Sequence, residues 1–456
     1  MLFLIALLFV ELLLWLSAFV LSQKDILAPS VMMCNMFVIS TGFALINIDN
    51  WEVDYHIETF FIISTGILVF LMGVFISHLI FQNVQMNVSP YKTGKNVNYN
   101  NGQIQTWKLV IILCMGIVSI IWYYFEIRRI VKAYGYNVHN LFASYRIITT
   151  YILAKRSDST IQMTSFVLNQ LIRLTYSAGY VASYILIKAR VSKRSQLQEP
   201  SRINIILLRC ILILSIIPGF MGAERNQFLQ ILVAVMVFYY ILWHQENGWG
   251  RDISWKFIRI GIVGVVVGIP IFYQLLRLVG RSTALSAFES GSVYLGSSIP
   301  LLNMYIENPV EPPRVFGEET LLGVHQFLAN LGVDTYVKNR HLEFRHLNSY
   351  TESNIYTFFR RPLHDFGYVG MYIFVALVGI FFGWFYYGKI KNKQRTKRLE
   401  YWIIVYGYFY YWIVYSSIDQ RSISYIATTP IMNIFAMLIL YWFLVLNKLR
   451  IAVRRR

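Results

Sequence analysis

Residues 2–21 read LFLIALLFVELLLWLSAFVL, and Glu11 is the only charged residue in this stretch. A helix rises about 1.5 Å per residue, so the stretch is long enough to cross the roughly 30 Å hydrocarbon core of a bilayer. No basic residue precedes the apolar run, and Glu11 interrupts it. We therefore expect a membrane-spanning helix of the mature protein rather than a signal peptide.

Similar apolar stretches recur along the whole 456-residue chain. The chain is 56% hydrophobic and 14% charged, whereas an ordinary soluble domain has about 25% charged residues. This composition excludes a soluble globular enzyme and predicts an all-α fold, a polytopic transmembrane helical bundle that forms one integral membrane domain over residues 1–456. The predicted spans, about eleven at roughly 20 residues per crossing, are residues 2–21, 31–48, 57–81, 109–127, 163–187, 203–220, 228–243, 257–276, 366–387, 401–415 and 431–446.

Basic residues predict the direction of the spans, because Lys and Arg collect in cytoplasmic loops. Three strongly basic segments, 188–202, 389–398 and 448–456, fall on one side of the predicted bundle. Segment 49–56 has three acidic residues and neither Lys nor Arg, and it falls on the other side. We therefore expect the N-terminus outside and the C-terminus in the cytoplasm.

The net charge of +18 is divided by the spans among many loops. Because nucleic-acid binding needs a continuous basic surface, no nucleic-acid partner is expected. Of the 16 basic residues on the predicted outer side, 13 are arginine, whose planar guanidinium suits bidentate contacts with phosphate or carboxylate. This excess indicates an anionic substrate, and incidental surface arginines remain the alternative at any one position.

Two predicted outer loops, 128–162 and 277–365, are too long to be mere connectors. Loops of this length are usually functional or disordered, and these two are aromatic and mixed in charge, so we expect ordered structure with short helices. In the second loop, residues 318–331 place apolar side chains at helical spacing and stop at Gly332. That pattern predicts an amphipathic helix that rests on the outer leaflet or caps a cavity.

Three arginines border the predicted spans on the outer side. Arg225 lies in a very short turn beside Glu224, and Arg277 and Arg281 lie four residues apart after the eighth span. If the helix continues, the last two share one face and could clamp a diphosphate. The alternatives are a local ion pair of Arg225 with Glu224, and lipid-facing arginines that reach for headgroup phosphates.

Residues 354–367 form the densest polar and aromatic cluster that runs into a span. Arg360 and Arg361 offer an anion clamp, and His364 and Asp365 offer a base that could take a proton from a sugar hydroxyl. The alternative is a set of interfacial residues that cap the ninth span.

Other chemistries have little support in the sequence. The three cysteines, Cys34, Cys114 and Cys210, lie inside apolar runs and do not form a disulfide or metal-binding spacing. The histidines of loop 277–365 lack the spacing of a metal site. We therefore expect neither a metal nor a cofactor.

The chain resembles the bacterial O-antigen and capsule oligosaccharide repeat-unit polymerases. The resemblance is carried by residues 222–225 at a short outer turn, by Tyr145 and Arg146, and by residues 354–357 and 365–367, which lead into a span. The many aromatic spans with one large late outer loop extend it over nearly the whole chain.

The resemblance implies an activity and a location. Such enzymes transfer a growing chain from undecaprenyl diphosphate to the next lipid-linked unit. The active site would face the outside, or periplasm, of the bacterial cytoplasmic (inner) membrane in a multi-pass protein. The lipid-linked oligosaccharide, the membrane and a chain-length regulator protein would be its partners.

A lipid diphosphate is already a good leaving group, so the protein must chiefly stabilise negative charge and orient the acceptor. We therefore expect a metal-independent glycosyltransferase in which His364 or Asp365 deprotonates the attacking hydroxyl. The residues expected to bind the substrate are Arg146, Arg225, Arg277, Arg281, Arg360, Arg361, Tyr294, Tyr350 and Tyr356, the tyrosines by stacking on sugar faces.

Three other functions remain open. An O-antigen ligase would use the same lipid-linked donor and the same arginines. A lipid-sugar transporter or flippase should show internal symmetry and polar residues near mid-membrane, and no internal repeat is apparent in the sequence. A non-catalytic assembly subunit would leave the outer arginines without a purpose.

Overall fold

The structure, a computed structural model, is almost entirely helical in the part of the chain that it describes. Eight of the described helices are long and apolar enough to cross a membrane. The chain is therefore an all-α membrane protein, as the composition predicts. The described residues are 1–51, 53–86, 104–149, 164–191, 200–222, 226–250, 286–338, 342–391, 396–420 and 427–447, with the single residues 259, 274 and 393.

In chain order the described helices and strands are α1 (Leu2–Leu21), α2 (Pro29–Ile46), α3 (Ile57–Met86), α4 (Thr106–Ala133), α5 (Leu141–Ile147), α6 (Phe166–Val191), α7 (Arg202–Met221), α8 (Asn226–Asn247), α9 (Ala287–Gly296), α10 (Ser298–Glu307), α11 (Leu322–Asn330), β1 (Arg345–His346), β2 (Glu352–Ser353), α12 (Arg360–Gly383), α13 (Lys397–Val414) and α14 (Thr428–Tyr441). A 3₁₀ turn precedes α5, and π-helical segments extend α12 to Ile390 and α14 to Leu446.

Ten of the predicted spans fall on described helices, and the eighth, residues 257–276, lies outside the described residues apart from two single positions. Two of the ten helices, α6 and α13, are not among the eight most apolar ones. Both are rich in tyrosine, and both pack between other helices of the bundle. Enclosure by protein explains how these polar rings are accommodated.

Contacts between residues near the helix termini show which termini lie together at each end of the bundle. At the loop end, which carries residues 286–365, the Asn303 side-chain amide donates to the Asp54 carbonyl at 2.6 Å. At the opposite end, Lys391 Nζ lies 2.9 Å from Asp25 Oδ2, and Lys188 pairs with Glu400. Helices α1, α2 and α3 thus run in alternating directions, and α12 begins at the loop end and ends beside Asp25 at the opposite end.

Part of the predicted outer loop is embedded in the bundle, which differs from the expectation that residues 277–365 lie wholly outside. The Ser298 hydroxyl, at the start of α10, lies 3.0 Å from the Ser40 hydroxyl. Ser40 is six residues before the end of α2, a depth of about 9 Å at 1.5 Å per residue. The apolar side chains of Ile299, Leu301 and Leu302 are fully buried there, so burial of apolar surface holds α10 below the helix ends.

The predicted amphipathic helix over residues 318–331 is present in a shorter form as α11, Leu322–Asn330. It ends as predicted at Gly332, which has a positive φ of 83°. The Val333 amide donates to the Leu328 carbonyl at 3.1 Å, the hydrogen bond of a Schellman C-cap. Glu318 and Glu319 are not helical but lie buried in the preceding turn.

Candidate functional site

A buried cluster of charged and aromatic side chains lies at the loop end, and the Glu319 carboxylate is at its centre. Glu319 Oε2 accepts a hydrogen bond from Arg360 Nη1 at 3.0 Å, and its Oε1 accepts one from Lys338 Nζ at 2.8 Å. His364 Nε2 lies 3.8 Å from the same Oε1. One carboxylate therefore contacts three groups from two separate parts of the chain, Lys338 and the start of α12.

Arg360 is fully buried and fully charge-paired, which explains why it tolerates burial. Its Nη2 donates to both oxygens of Glu343, at 3.0 and 3.1 Å. The guanidinium carbon lies 3.6 Å from the ring centroid of Tyr305 and 5.5 Å from that of Tyr356, within the range of cation–π contacts. Arg360 is thus held by two carboxylates and two rings rather than presented to an anionic ligand.

Nearby cations lower the pKa values of two carboxylates at the loop end. Burial alone would raise the pKa of Glu343, but the Arg360 guanidinium and the hydrogen bonds to its carboxylate outweigh burial and hold that pKa below its ordinary value. The same balance, with a backbone N–H from Arg314 and the Lys338 ammonium, lowers the pKa of Glu318. Burial would lower the pKa of Lys338, yet Glu319 and Glu318 raise it.

His364 lies between a hydroxyl and a carboxylate. Its Nδ1 is 3.3 Å from the Tyr305 hydroxyl oxygen, and its Nε2 faces Glu319. A neutral imidazole places its N–H toward a carboxylate, which leaves Nδ1 as the acceptor beside Tyr305. Burial raises the pKa of Tyr305, so this phenol stays protonated. Burial lowers the pKa of His364, and although Glu319 opposes this, Arg360 and Lys338 add to it. The imidazole is therefore neutral at rest and can accept one proton at Nδ1.

Asp365 has a different environment from His364. Its two oxygens accept the backbone N–H of Glu319 at 3.2 and 3.1 Å, and Oδ2 accepts that of Thr320 at 2.6 Å. These bonds anchor the turn before α11 to the start of α12. Of the two bases predicted from the sequence, the contacts favour His364 and give Asp365 a positioning role.

The helix that carries these residues begins earlier than predicted. The ninth span was expected to start at residue 366, but α12 starts at Arg360, and Gly367 breaks it with φ 65° and ψ −171°. Such backbone angles are essentially restricted to glycine. Arg360, Arg361, His364 and Asp365 therefore lie on a short buried helical segment of their own, which the break separates from the rest of the helix.

Arg361 joins two helix ends. Its Nε donates to Asp419 Oδ1 at 2.8 Å, and its Nη2 donates to Oδ2 at 3.3 Å. Asp419 lies just beyond α13, so this bidentate pair ties the start of α12 to the turn after α13. As with Arg360, a carboxylate of the chain occupies the fork that was predicted to hold a substrate anion.

The three tyrosines predicted to stack on sugars have different exposures. Tyr350, at the tip of the β1–β2 hairpin, is 68% exposed, and Tyr294 on α9 is half-buried. The structure contradicts the expectation for Tyr356, because its ring is completely buried and packs beside Arg360. Its hydroxyl accepts a hydrogen bond from Arg345 Nε at 3.1 Å and donates to the Glu343 carbonyl at 3.2 Å.

The remaining predicted arginines are not part of this cluster as described. Arg146 is half-buried on α5, whose neighbours Leu141 and Tyr145 form a small core of their own with α4. Arg225, Arg277 and Arg281 lie outside the described residues, so their role stays a prediction.

Several members of the cluster were missed in the sequence, notably Tyr305, Glu319, Lys338 and Glu343. A signal was present, since loop 277–365 balances eight basic residues with nine acidic ones, which is typical of internal ion pairs. Arg345 was missed as well. It donates from Nη1 to the Met304 carbonyl at 2.7 Å and from Nη2 to that of Asn308 at 2.6 Å, so it caps the C-terminus of α10.

Within the described ranges, no group of three or more His, Cys, Asp or Glu side chains is placed to hold a metal ion. Comparison of the chain with protein-family models, with curated proteins and with solved structures finds no match. What the site can do chemically follows from its carboxylate, imidazole and hydroxyl groups at the end of a membrane helix.

Proposed function

We propose that the chain is a metal-independent glycosyltransferase that polymerises oligosaccharide repeat units carried on undecaprenyl diphosphate, at the outer face of the bacterial cytoplasmic membrane. The observation that carries the proposal is the array of Glu319, His364 and Tyr305 at the loop end. A carboxylate, an imidazole and a hydroxyl in sequence form a proton-accepting arrangement that also occurs in hydrolytic triads. The array lies under the folded outer loop, where the membrane helix α12 begins.

The proposed reaction balances with a single proton acceptor. The acceptor sugar hydroxyl displaces the Tyr305 hydroxyl from His364 Nδ1 and gives its proton to that nitrogen while its oxygen bonds to the anomeric carbon of the donor chain. The bond between that carbon and the diphosphate oxygen breaks, and the lipid diphosphate leaves with the electron pair. Glu319 stabilises the imidazolium, and Arg146, Arg225, Arg277 and Arg281 are the arginines proposed to stabilise the departing diphosphate. A chelator is therefore expected to leave the activity unchanged.

The distribution of charge favours an enzyme over a transporter. A transporter is expected to have polar residues near mid-membrane, contributed by both halves of the chain, that bind the substrate. In the described part of the chain, Asp25 and Glu400 are paired with lysines near the end opposite the loop, and the loop end holds the dense cluster around Glu319. Glu11 is the acidic residue that departs from this pattern.

A ligase that moves finished polymer from the same lipid is the second candidate, and cells distinguish it from a polymerase. In a strain that lacks the chain, accumulation of single repeat units is expected for a polymerase. Normal-length polymer left on its lipid carrier would instead indicate the ligase.

The same strain tests the proposed residues. Complementation with His364→Ala is expected to yield single units, whereas His346→Ala, an exposed histidine of the same loop, should restore long polymer. Arg225→Ala and Arg281→Ala should shorten the polymer on a polysaccharide gel. Undiminished polymer with a variant present in the membrane would refute the role of that residue.

A further inference from the structure

Glu11 is a carboxyl group enclosed in the membrane-spanning part of the bundle. It lies at the middle of α1 and is completely buried. The Thr41 hydroxyl of α2 donates to its Oε1 at 2.9 Å. Its Oε2 is also buried and has no hydrogen-bond partner among the described residues.

Among the described residues, no cation lies beside Glu11 to compensate its charge. Helix α1 packs on α2 and α3, and Leu7, Cys34 and Phe37 are fully buried in the same core. No ion pair joins Glu11 to any Lys, Arg or His of the described ranges.

The other buried acids near the membrane helices provide the comparison. Asp25 accepts hydrogen bonds from the Tyr240 hydroxyl at 2.5 Å and from Lys391 Nζ at 2.9 Å, and Glu400 pairs with Lys188. Both acids therefore have a cation beside them. Within the described residues, Glu11 instead has one neutral partner, the Thr41 hydroxyl.

We infer that Glu11 is a proton-binding site, held in the resting protein as a neutral carboxylic acid in the core of the bundle. An unpaired carboxylate in an apolar interior is so unfavourable that such a group takes up a proton instead. Ionisable residues within membrane helices are rare and mark functional positions. This inference concerns a residue outside the cluster around Glu319 and does not depend on the proposed reaction.

The site is structurally connected to the embedded helix α10. Thr41, which bonds Glu11, directly follows Ser40, and the Ser40 hydroxyl contacts Ser298 at the start of α10. Loss of the proton would create a charge in the α1–α2 contact, beside the place where α10 is docked. The proton on Glu11 therefore stabilises the packing on which the loop end is built.

A hydrophobic carbodiimide tests this inference on the whole purified protein, because it reacts with a protonated carboxyl group in an apolar environment. The carboxyl oxygen bonds to the central carbon of dicyclohexylcarbodiimide while its proton moves to a carbodiimide nitrogen. An oxygen-to-nitrogen acyl shift then gives a stable N-acylurea with no leaving group. Peptide mass spectrometry locates the adduct.

We expect the adduct at Glu11 in the wild-type chain and its loss in Glu11→Gln. Asp25 and Glu400 serve as internal controls in the same digest, since each has a lysine ammonium beside it and we expect no adduct there. An unmodified Glu11 in a sample whose other carboxyls react would overturn the inference.

Infrared spectroscopy provides a second measurement that does not require access for a reagent. The spectrum of the wild type minus that of Glu11→Gln at neutral pH should contain the carbonyl stretch of a protonated carboxylic acid. A carboxylate band in its place would contradict the assignment. Glu11→Gln is nearly isosteric and keeps an acceptor for Thr41, so we expect it to fold.

Discussion

Arg360 shows how a residue that the sequence offers as a ligand-binding group becomes a structural one. Its guanidinium donates to Glu319 and Glu343 and lies against the Tyr305 ring. Two carboxylates neutralise it, so little of its charge remains for a substrate. Its contacts fix the position of Glu319, which in turn faces His364.

Replacement of Arg360 tests this structural role. Arg360→Ala would remove the buried guanidinium that joins Glu319 to Glu343 and leave Lys338 beside Glu319 and Arg345 at 3.7 Å from Glu343. Removal of one partner of a buried pair typically costs about 3–5 kcal/mol. We expect a large fall in the melting temperature in detergent. Arg129→Ala is the matched control, since Arg129 forms an exposed pair with Glu126 and such pairs contribute about 0–1 kcal/mol. Equal melting temperatures for the two variants would show that Arg360 is not structural.

At the scale of elements, α12 is divided by Gly367. The break separates the segment with Arg360 and His364 from the membrane-spanning part of the helix, and it rests on backbone angles that side chains other than hydrogen rarely allow. Free space is not the constraint, because a Cβ at this position would meet no atom within 4 Å.

Gly367→Ala is therefore expected to destabilise the protein by about 1–3 kcal/mol through backbone strain. Gly42→Ala, in the interior of α2 with equally open space, should be neutral or stabilising, because alanine is about 1 kcal/mol better than glycine in a helix. Thermal unfolding of both variants measures the difference. If Gly367→Ala unfolds at the wild-type temperature, the break in α12 is not required for stability.

The turn before α11 is held by ion pairs and should depend on pH in two directions. The lowered pKa values of Glu318 and Glu343 mean that their stabilisation is complete above about pH 4 and is lost as the pH falls further. The raised pKa of Lys338 means that its stabilisation is complete below about pH 10 and is lost as the pH rises through the folded value.

A spin label at Phe316, which is 76% exposed, reports the order of this turn. We expect low mobility between these limits and a mobile spectrum beyond them. Lys338→Met should remove the alkaline transition and leave the acidic transition that depends on Arg360 and Glu343. A spectrum that is constant from pH 3 to pH 11 would contradict the role of these pairs.

At the scale of the whole molecule, the helices could be predicted from the sequence and the cluster could not. Apolar length identifies a helix such as α1, and Gly332 marks the end of α11, because both signals are local. The contact of Glu319 with Arg360 joins residues 41 positions apart, and that of Arg361 with Asp419 joins residues 58 apart. Nothing local indicates which acid a given arginine will meet.

The embedded position of α10 could not be predicted from its own sequence either. A stretch of ten residues is too short to be recognised as a membrane element. Its depth is set by partners on another helix, such as the Ser40 hydroxyl that meets Ser298. The depth of this part of loop 277–365 could therefore not be predicted from its sequence.

The direction of the molecule in the membrane is a prediction that single cysteines can test. In a chain with Cys34, Cys114 and Cys210 replaced, Tyr350→Cys at the loop end should react with a membrane-impermeant thiol reagent in intact spheroplasts. Lys24→Cys, exposed at the opposite end, should react only after lysis. The reverse pattern would place the loop end in the cytoplasm and exclude the proposed reaction.

The central claim is that His364, oriented by Glu319 and Tyr305, accepts the proton of the attacking sugar hydroxyl. The most direct measurement is the turnover of purified protein with undecaprenyl-diphosphate-linked repeat units in liposomes. General-base catalysis typically contributes about 10²–10⁴-fold, so His364→Ala should lose that much of kcat, and His346→Ala should keep the wild-type rate. A folded His364→Ala that elongates the polymer as fast as the wild type would contradict the account.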